Sequence, residues 1–391
     1  MERTEARLLF LDHMRGIAIL AVFSFHCLGS AFGQDQLPWG AWFSDFSASS
    51  KSFLAVLPAT FGWAGVAIFF VVSGFCIHLS FLRRSTDDWR GFYVRRFFRI
   101  YPPYFLTLIV FAVAVPTTRL SFHSLFDWAQ LCSHLLLLQN FDERSFFGIN
   151  PVFWTIAIEV QLYLLYPALL ALAGKIGWRR ALIAIGSLEI AMRGFKGVVI
   201  AATAHDVPQW FSGAPPLYWY SWAIGAAVAE AFVRKQSLPF RSLPAGALFL
   251  LAIGVSWVKP LFFFSFVLFA VLTATMIARL LERGTALPLP RPFLNHLRIL
   301  GGWSYSFYLL HQPLIAAVPG LFRSPVHPLV MFAYCVCTYP LILAASWLSY
   351  RYCEQPGIAF GKLFLRKASK DAVQPGSPTT AAHMHVKPPK S

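Results

Sequence analysis

The sequence predicts an all-α, polytopic membrane protein with about ten transmembrane helices and both termini in the cytoplasm. Three observations carry that expectation. Of 391 residues, 57% are hydrophobic, 17% aromatic and only 13% charged, with a mean hydropathy of +0.58, whereas a soluble domain carries about a quarter charged residues. Apolar runs of about twenty residues recur along the whole length, each long enough to cross a hydrocarbon core of about 30 Å. With the N-terminus placed inside, most of the 33 Lys and Arg fall in cytoplasmic segments, which is the positive-inside asymmetry. The net charge of +16 therefore reflects topology. No nucleic-acid partner is expected; the lipid bilayer is.

The expected spans cover 9–30, 58–82, 97–116, 152–173, 181–201, 216–233, 243–258, 260–281, 297–318 and 326–350. No A-x-A-like cleavage site follows the first apolar segment, so it should be retained as a membrane anchor. Residues 31–57, rich in Gly, Ser, Trp and Phe, should form an extracytoplasmic loop. Pro102 and Pro103 stand where the third span enters the membrane and should break or kink it. Residues 121–140 are apolar but short, and counting them as a span would put KIGWRR outside, so they read as an interfacial or re-entrant helix. The fifth span is interrupted by Glu189, Arg193 and Lys196. Residues 1–360 should form one membrane domain. The segment 366–391 lacks apolar periodicity and should be a disordered cytoplasmic tail. Six scattered cysteines show no zinc or redox spacing and read as packing residues. No metal site is expected.

Polar residues inside the spans are few: Arg15, His26, Ser73, Arg96, Arg99, Glu159, Tyr305, Tyr308 and His311. A charge within a span costs several kcal/mol, which makes each a candidate for function. Arg15 and His26 are eleven residues apart, so they share one helix face about 16 Å apart along the axis. Taken singly, Arg15 could equally snorkel to the interface and His26 satisfy a bond within the bundle. Arg96 and Arg99 share a face at the cytoplasmic mouth, where two guanidiniums suit incoming phosphates; as RxxR alone they are also ordinary positive-inside arginines. Glu159 needs a partner or a task, and a structural arginine would serve as well. Tyr308 and His311 lie one turn apart, and an isolated His311 reads as a packing histidine. Ser73 in SGF is not a nucleophile elbow, which needs G-x-S-x-G on a strand-to-helix turn; Ser73 and Gly74 suit close helix packing.

In combination these residues resemble the acyltransferase-3 family of membrane acyltransferases. The resemblance rests on LDHMRGIAIL with the Arg15–His26 spacing, FFVVSGF, RRFFRIYPPY, FWTIAIEVQLYLLYP, SYSFYLLHQP and CEQP at 353–356, in the family's order and over the chain to about residue 356. Many members carry two successive glutamates where this chain has Glu159 and Val160. Others carry a C-terminal hydrolase-like domain, so a stand-alone enzyme is the expectation here. The resemblance implies transfer of an acyl group, usually acetyl, from cytoplasmic acyl-coenzyme A as co-substrate to a hydroxyl of an extracytoplasmic glycan or glycolipid. On that reading His26, Arg15 and Glu159 are catalytic, and Arg96, Arg99, Ser73, Tyr305, Tyr308 and His311 bind the donor. No bound cofactor is implied. A secondary transporter of a small anionic solute is the competing reading, since buried charges and a proline-broken helix suit one, although no repeated halves are evident.

Overall fold

The computed structural model describes residues 8–33, 56–84, 88–284 and 287–373, and among these every regular element is helical. Helices α1 (Phe10–Phe32), α2 (Ala64–Leu82), α3 (Trp89–Val113), α4 (Leu125–Leu135), α5 (Phe153–Ile176) and α6 (Trp178–Thr203) lead the chain. They are followed by α7 (Pro216–Val233), α8 (Ala245–Ser256), α9 (Phe262–Arg283) and α10 (Arg291–Ala316). A final run holds α11 (Pro328–Cys337), α12 (Tyr339–Ser349), a π-helical turn (Tyr350–Glu354) and α13 (Gln355–Val373).

Among the described residues, six helical segments are long and apolar enough to cross a membrane: α1, α2, α3, α5, α9 and the 40-residue run Pro328–Lys367. The other four expected spans fall on α6, α7, α8 and α10. Of these α8 has only 12 residues, about 18 Å of helix, while α6 and α10 carry charges. The 11-residue α4 is likewise too short to span and lies inside the segment read as interfacial. Tyr101 and Tyr104 hold it against α3 by donating to the carbonyls of Leu135 and His134 (3.0 and 2.8 Å). The loop expected over 31–57 lies largely outside the described residues. Helix α13 continues to Val373, past the start of the expected tail, whose remaining residues are also outside the described set.

Two close helix pairs frame the centre of the bundle. Helices α1 and α10 run parallel and touch through Gly16 and Gly301: a Cβ on either would stand 2.3 Å from the Leu297 carbonyl oxygen or 1.9 Å from that of Asp12. Gly74 on α2 and Gly225 on α7 do the same, each facing the partner's backbone carbonyl at 2.0 Å. In an apolar solvent helices associate through such backbone-to-backbone packing. The expected packing role of Gly74 is borne out.

Of the break or kink expected at Pro102 and Pro103, the break does not occur; α3 runs through both as one helix. Pro102 brings no N–H to the carbonyl of Phe98, and Gly357 of α13 packs directly on that oxygen, at 2.5 Å from where its Cβ would be. The freed backbone is thus buried in protein, the setting in which a membrane helix tolerates proline.

The charges that interrupt the fifth span also face inward. Arg193 donates from Nε and Nη2 to Glu189 Oε1 (3.1 and 2.9 Å) and from Nη1 to the Phe263 carbonyl (3.0 Å). Ser221 Oγ donates to the same carboxylate at 2.9 Å. Breaking one side of a buried, fully bonded pair leaves an uncompensated charge, at a cost of about 3–5 kcal/mol. Glu189→Ala should therefore lower the thermal unfolding midpoint of the purified protein steeply, and Glu189→Gln, which also leaves the Arg193 charge uncompensated, nearly as much. A midpoint for Glu189→Gln close to that of the wild type would refute the ion-pair account. A second network joins α2, α5 and α7: His78 lies 2.8 Å from Glu230 and 2.6 Å from the Tyr166 hydroxyl, and Arg234 caps the carboxylate at 2.5 Å.

Candidate active site

The polar residues of α1, α2, α3, α5 and α10 converge on one cleft at mid-bundle, with a cavity volume of about 110 Å³. Seven of the nine residues singled out in the sequence line it: Arg15, Ser73, Arg96, Arg99, Glu159, Tyr305 and Tyr308. Thr155, Tyr163 and Ser304 complete its polar wall, and Val66, Phe69, Phe70, Ile77, Ile100 and Ile156 its apolar one.

Glu159 is held from α2 and from its own helix. Ser73 Oγ donates to Glu159 Oε1 at 2.7 Å, and the Tyr163 hydroxyl, one turn along α5, donates to the same oxygen. Trp222 Nε1 donates to Ser73 Oγ at 3.3 Å, so the serine relays between α7 and the carboxylate. Oε2 has no hydrogen-bond partner among the described residues and is left to the cleft. Ser73 therefore does more than permit close packing. No structural arginine pairs with Glu159 within the described residues.

The arginines form a graded basic path. A second cavity, lined by Arg83, Arg84, Asp12 and Ser80, opens where α1 begins and α2 ends, and it shares Arg15 and Cys76 with the cleft. Arg15 stands at the junction, paired with Asp12 at 3.1 Å. Deeper in, Arg96 lies over the Phe92 ring at 5.7 Å, and its Nε is buried without a partner. Buried guanidiniums with spare donors are suited to oxyanions that arrive from outside the protein.

His26 and His311 do not line the cleft. They face each other, with ring centroids 5.1 Å apart, behind the Tyr308 ring, which lies 5.4 Å from His311 and 5.9 Å from Phe69. His311 is therefore a neighbour of His26, not a wall of the donor cleft as its grouping with the arginines implied; the parallel packing of α1 and α10 brings the two rings to one level. His311 Nδ1 meets the carbonyls of Tyr308 and Phe307 (2.8 and 3.2 Å). A carbonyl only accepts, so Nδ1 carries the proton and the lone pair sits on Nε2, which is buried without a partner. Tyr308 is fixed by Thr155, whose Oγ1 donates to its hydroxyl at 2.8 Å.

Sequence reasoning missed Glu354. It closes the π-helical turn, is 2% exposed, and accepts from Ser306 Oγ at 3.0 Å. Its carboxylate lies within electrostatic reach of Arg99 and Arg15, so it balances charge behind the cleft. A π turn rotates the side chains that follow it, and such turns mark functional sites. The available signal was a lone acid within a long apolar run, in CEQP. Tyr163, spaced i+4 from Glu159, was also missed.

A buried basic path, a braced carboxylate and a histidine pair suit the transfer of an activated group to a hydroxyl, and comparison with known proteins decides the class. A family model described as an acyltransferase domain matches residues 8–351. The chain belongs to the acyltransferase-3 family. It is a multi-pass membrane O-acyltransferase. It is similar to the acyltransferase MdmB of Streptomyces mycarofaciens, at 28% identity over 79% of each chain. A putative peptidoglycan O-acetyltransferase, YrhL of Bacillus subtilis, is 26% identical over 88% of this chain and 54% of its own. Nodulation protein 10 of Rhizobium leguminosarum bv. viciae is 28% identical over 37% of this chain and 42% of its own. The chain thus spans about half the length of the latter two. No solved structure matches it.

Proposed function

We propose that this acyltransferase moves an acyl group, acetyl in the first instance, from cytoplasmic acyl-coenzyme A to a hydroxyl of an extracytoplasmic glycan or glycolipid. The observation that supports this most is the continuity of the basic path from Arg83 and Arg84, past Arg15, to Arg96 and Arg99. Such a path suits a polyphosphorylated donor whose long pantetheine arm carries a thioester to mid-bundle. The relative named as a peptidoglycan O-acetyltransferase supports the acetyl group and the glycan. The reading includes ten spans with both termini in the cytoplasm of the inner membrane, the short or charged helices α6, α7, α8 and α10 crossing with their polar groups turned inward.

In the reaction the acceptor hydroxyl oxygen bonds to the thioester carbonyl carbon as the C–S bond breaks. The hydroxyl proton passes to an imidazole, and the departing thiolate takes up a proton to leave as the free thiol. A histidine is suited to that exchange because its ordinary pKa lies near neutrality. Of the pair, His311 has its tautomer fixed, with Nε2 ready to accept, and His26 adjoins it. Arg15 supplies donors to the donor's negative charge in the cleft, and Ser73 and Tyr163, whose protons go to Glu159 Oε1, brace the carboxylate there. The buried charges that suited a transporter are thereby given catalytic and donor-binding work.

The test is to incubate membranes carrying the wild type with labelled acetyl-coenzyme A. Label should enter extractable glycan as an alkali-labile ester. Substrate-dependent solute flux without acyl-coenzyme A, and no ester, would overturn the reading.

A further inference from the structure

Beyond the cleft and the histidine pair, a second pocket lies at the other end of the bundle. It has a cavity volume of about 370 Å³ and gathers Thr117–Leu120 just past α3, Phe147, Ile149 and Pro151 just before α5, Gln130 of α4, and the end of α10 from Gln312. Because α1 and α10 run parallel, this is the end opposite the Arg83–Arg84 mouth. The pocket begins at the residue after His311.

Two amides line it. Gln130 is 7% and Gln312 5% exposed, and their amide groups, which make no hydrogen bond among the described residues, open onto the pocket. The Gln130 amide rests over Gly148, where an added Cβ would stand 1.7 Å from its Nε2. Only a glycine there lets the amide occupy that position. Arg119 is exposed at the rim and has no ion-pair partner among the described residues.

We propose that this pocket is the acceptor subsite, and that it takes a hydroxyl-rich sugar ring bearing an anionic substituent. The two amides offer donors and acceptors to ring hydroxyls, Ile149 and Pro151 present apolar surface to the C–H face of the ring, and Arg119 pairs with the anion. A ring held there lies beside the turn of α10 that carries His311, at the end of the bundle opposite the donor's mouth. The proposal rests on the glycan-acceptor reading above and names its site and charge preference.

The experiment uses the full-length protein in lipid nanodiscs with fluorescent oligosaccharides of three kinds: neutral, uronate-bearing and phosphate-bearing. The wild type should bind both anionic kinds more tightly than the neutral one. Arg119→Gln should remove about a tenfold preference for the anionic probes while leaving the neutral probe's affinity in place, and Gly148→Ala and Gln312→Leu should each weaken all three about tenfold. Since Arg119 is exposed, its variant tests the pocket even where the buried substitutions disturb folding. Wild-type binding unaltered by Arg119→Gln and Gly148→Ala, or no wild-type binding, would overturn the subsite. Ester formation on membrane glycan alongside either result would leave the acyl-transfer reading standing. Binding with the expected pattern but no ester formed would uphold the pocket as a site for anionic sugars and overturn its role as an acceptor site together with that reading.

Discussion

His26→Ala should reduce acyl transfer about a thousandfold, within the range a positioned acid–base group supplies, while the protein still inserts and unfolds at a nearly unchanged temperature. His26 is half-buried on α1 and faces His311, 5.1 Å away between ring centroids. The backbone carbonyls of Tyr308 and Phe307 fix the proton of His311 on Nδ1, so the pair holds one defined lone pair at Nε2, next to His26. A unit of that kind fails as a whole. His311→Ala should cost about as much as His26→Ala, and the double variant little more than either, because groups acting together are non-additive. Initial rates of ester formation, measured with unfolding midpoints on the same preparations, check this. Transfer retained by His26→Ala, or losses that simply multiply in the double variant, would remove the pair from the chemistry.

Arg96→Ala should act chiefly on the donor. Arg96 lines the cleft with a buried, unpartnered Nε, and a charge-assisted hydrogen bond contributes about 1.5–3 kcal/mol. The KM for acyl-coenzyme A should rise about tenfold to a hundredfold, with a smaller fall in kcat, the pattern of lost ground-state binding. Arg96→Lys should recover only part, since a point charge does not reproduce the planar fork. Arg99→Ala should show the same sign but a smaller effect, because Glu354 already lies near that charge. Replacing Arg84, exposed at the mouth, should change KM least and chiefly at low salt. Steady-state kinetics at fixed acceptor would show it; an unchanged donor KM in Arg96→Ala would displace the donor from this cleft.

Much of the bundle was legible because membrane helices announce themselves by long apolar runs, and the ten expected segments all fall on helices. What was not legible depends on tertiary contacts. Pro102 and Pro103 read as a break because the sequence does not reveal that Gly357, some 250 residues later, packs on the carbonyl that proline leaves free. The cleft was legible through rarity: a polar side chain in an apolar run stands out, and seven of nine such residues meet there. The grouping of His311 with the donor arginines went astray because helix spacing gives a residue's face but not its depth relative to another helix. The close approaches of Gly16 to Leu297 and of Gly301 to Asp12, with the Phe23–Phe307 ring contact, set the register of α1 against α10 and so put His311 beside His26. Glu354 was obscured by the π turn, which shifts the face that an α-helical count assigns. Gln130 and Gln312 gave no signal at all, since a glutamine in a helix is ordinary until the tertiary fold places it in a pocket.

The central claim is that the donor enters by the Arg83–Arg84 mouth at one end and the acyl group leaves at the other. Sealed membrane vesicles of defined orientation, loaded with glycan on one face and given labelled acetyl-coenzyme A on the other, test it most directly. Label should appear in glycan only when acetyl-coenzyme A is supplied to the face bearing Arg83 and Arg84 and the glycan is on the opposite face. Ester formed with donor and glycan on the same face would contradict it.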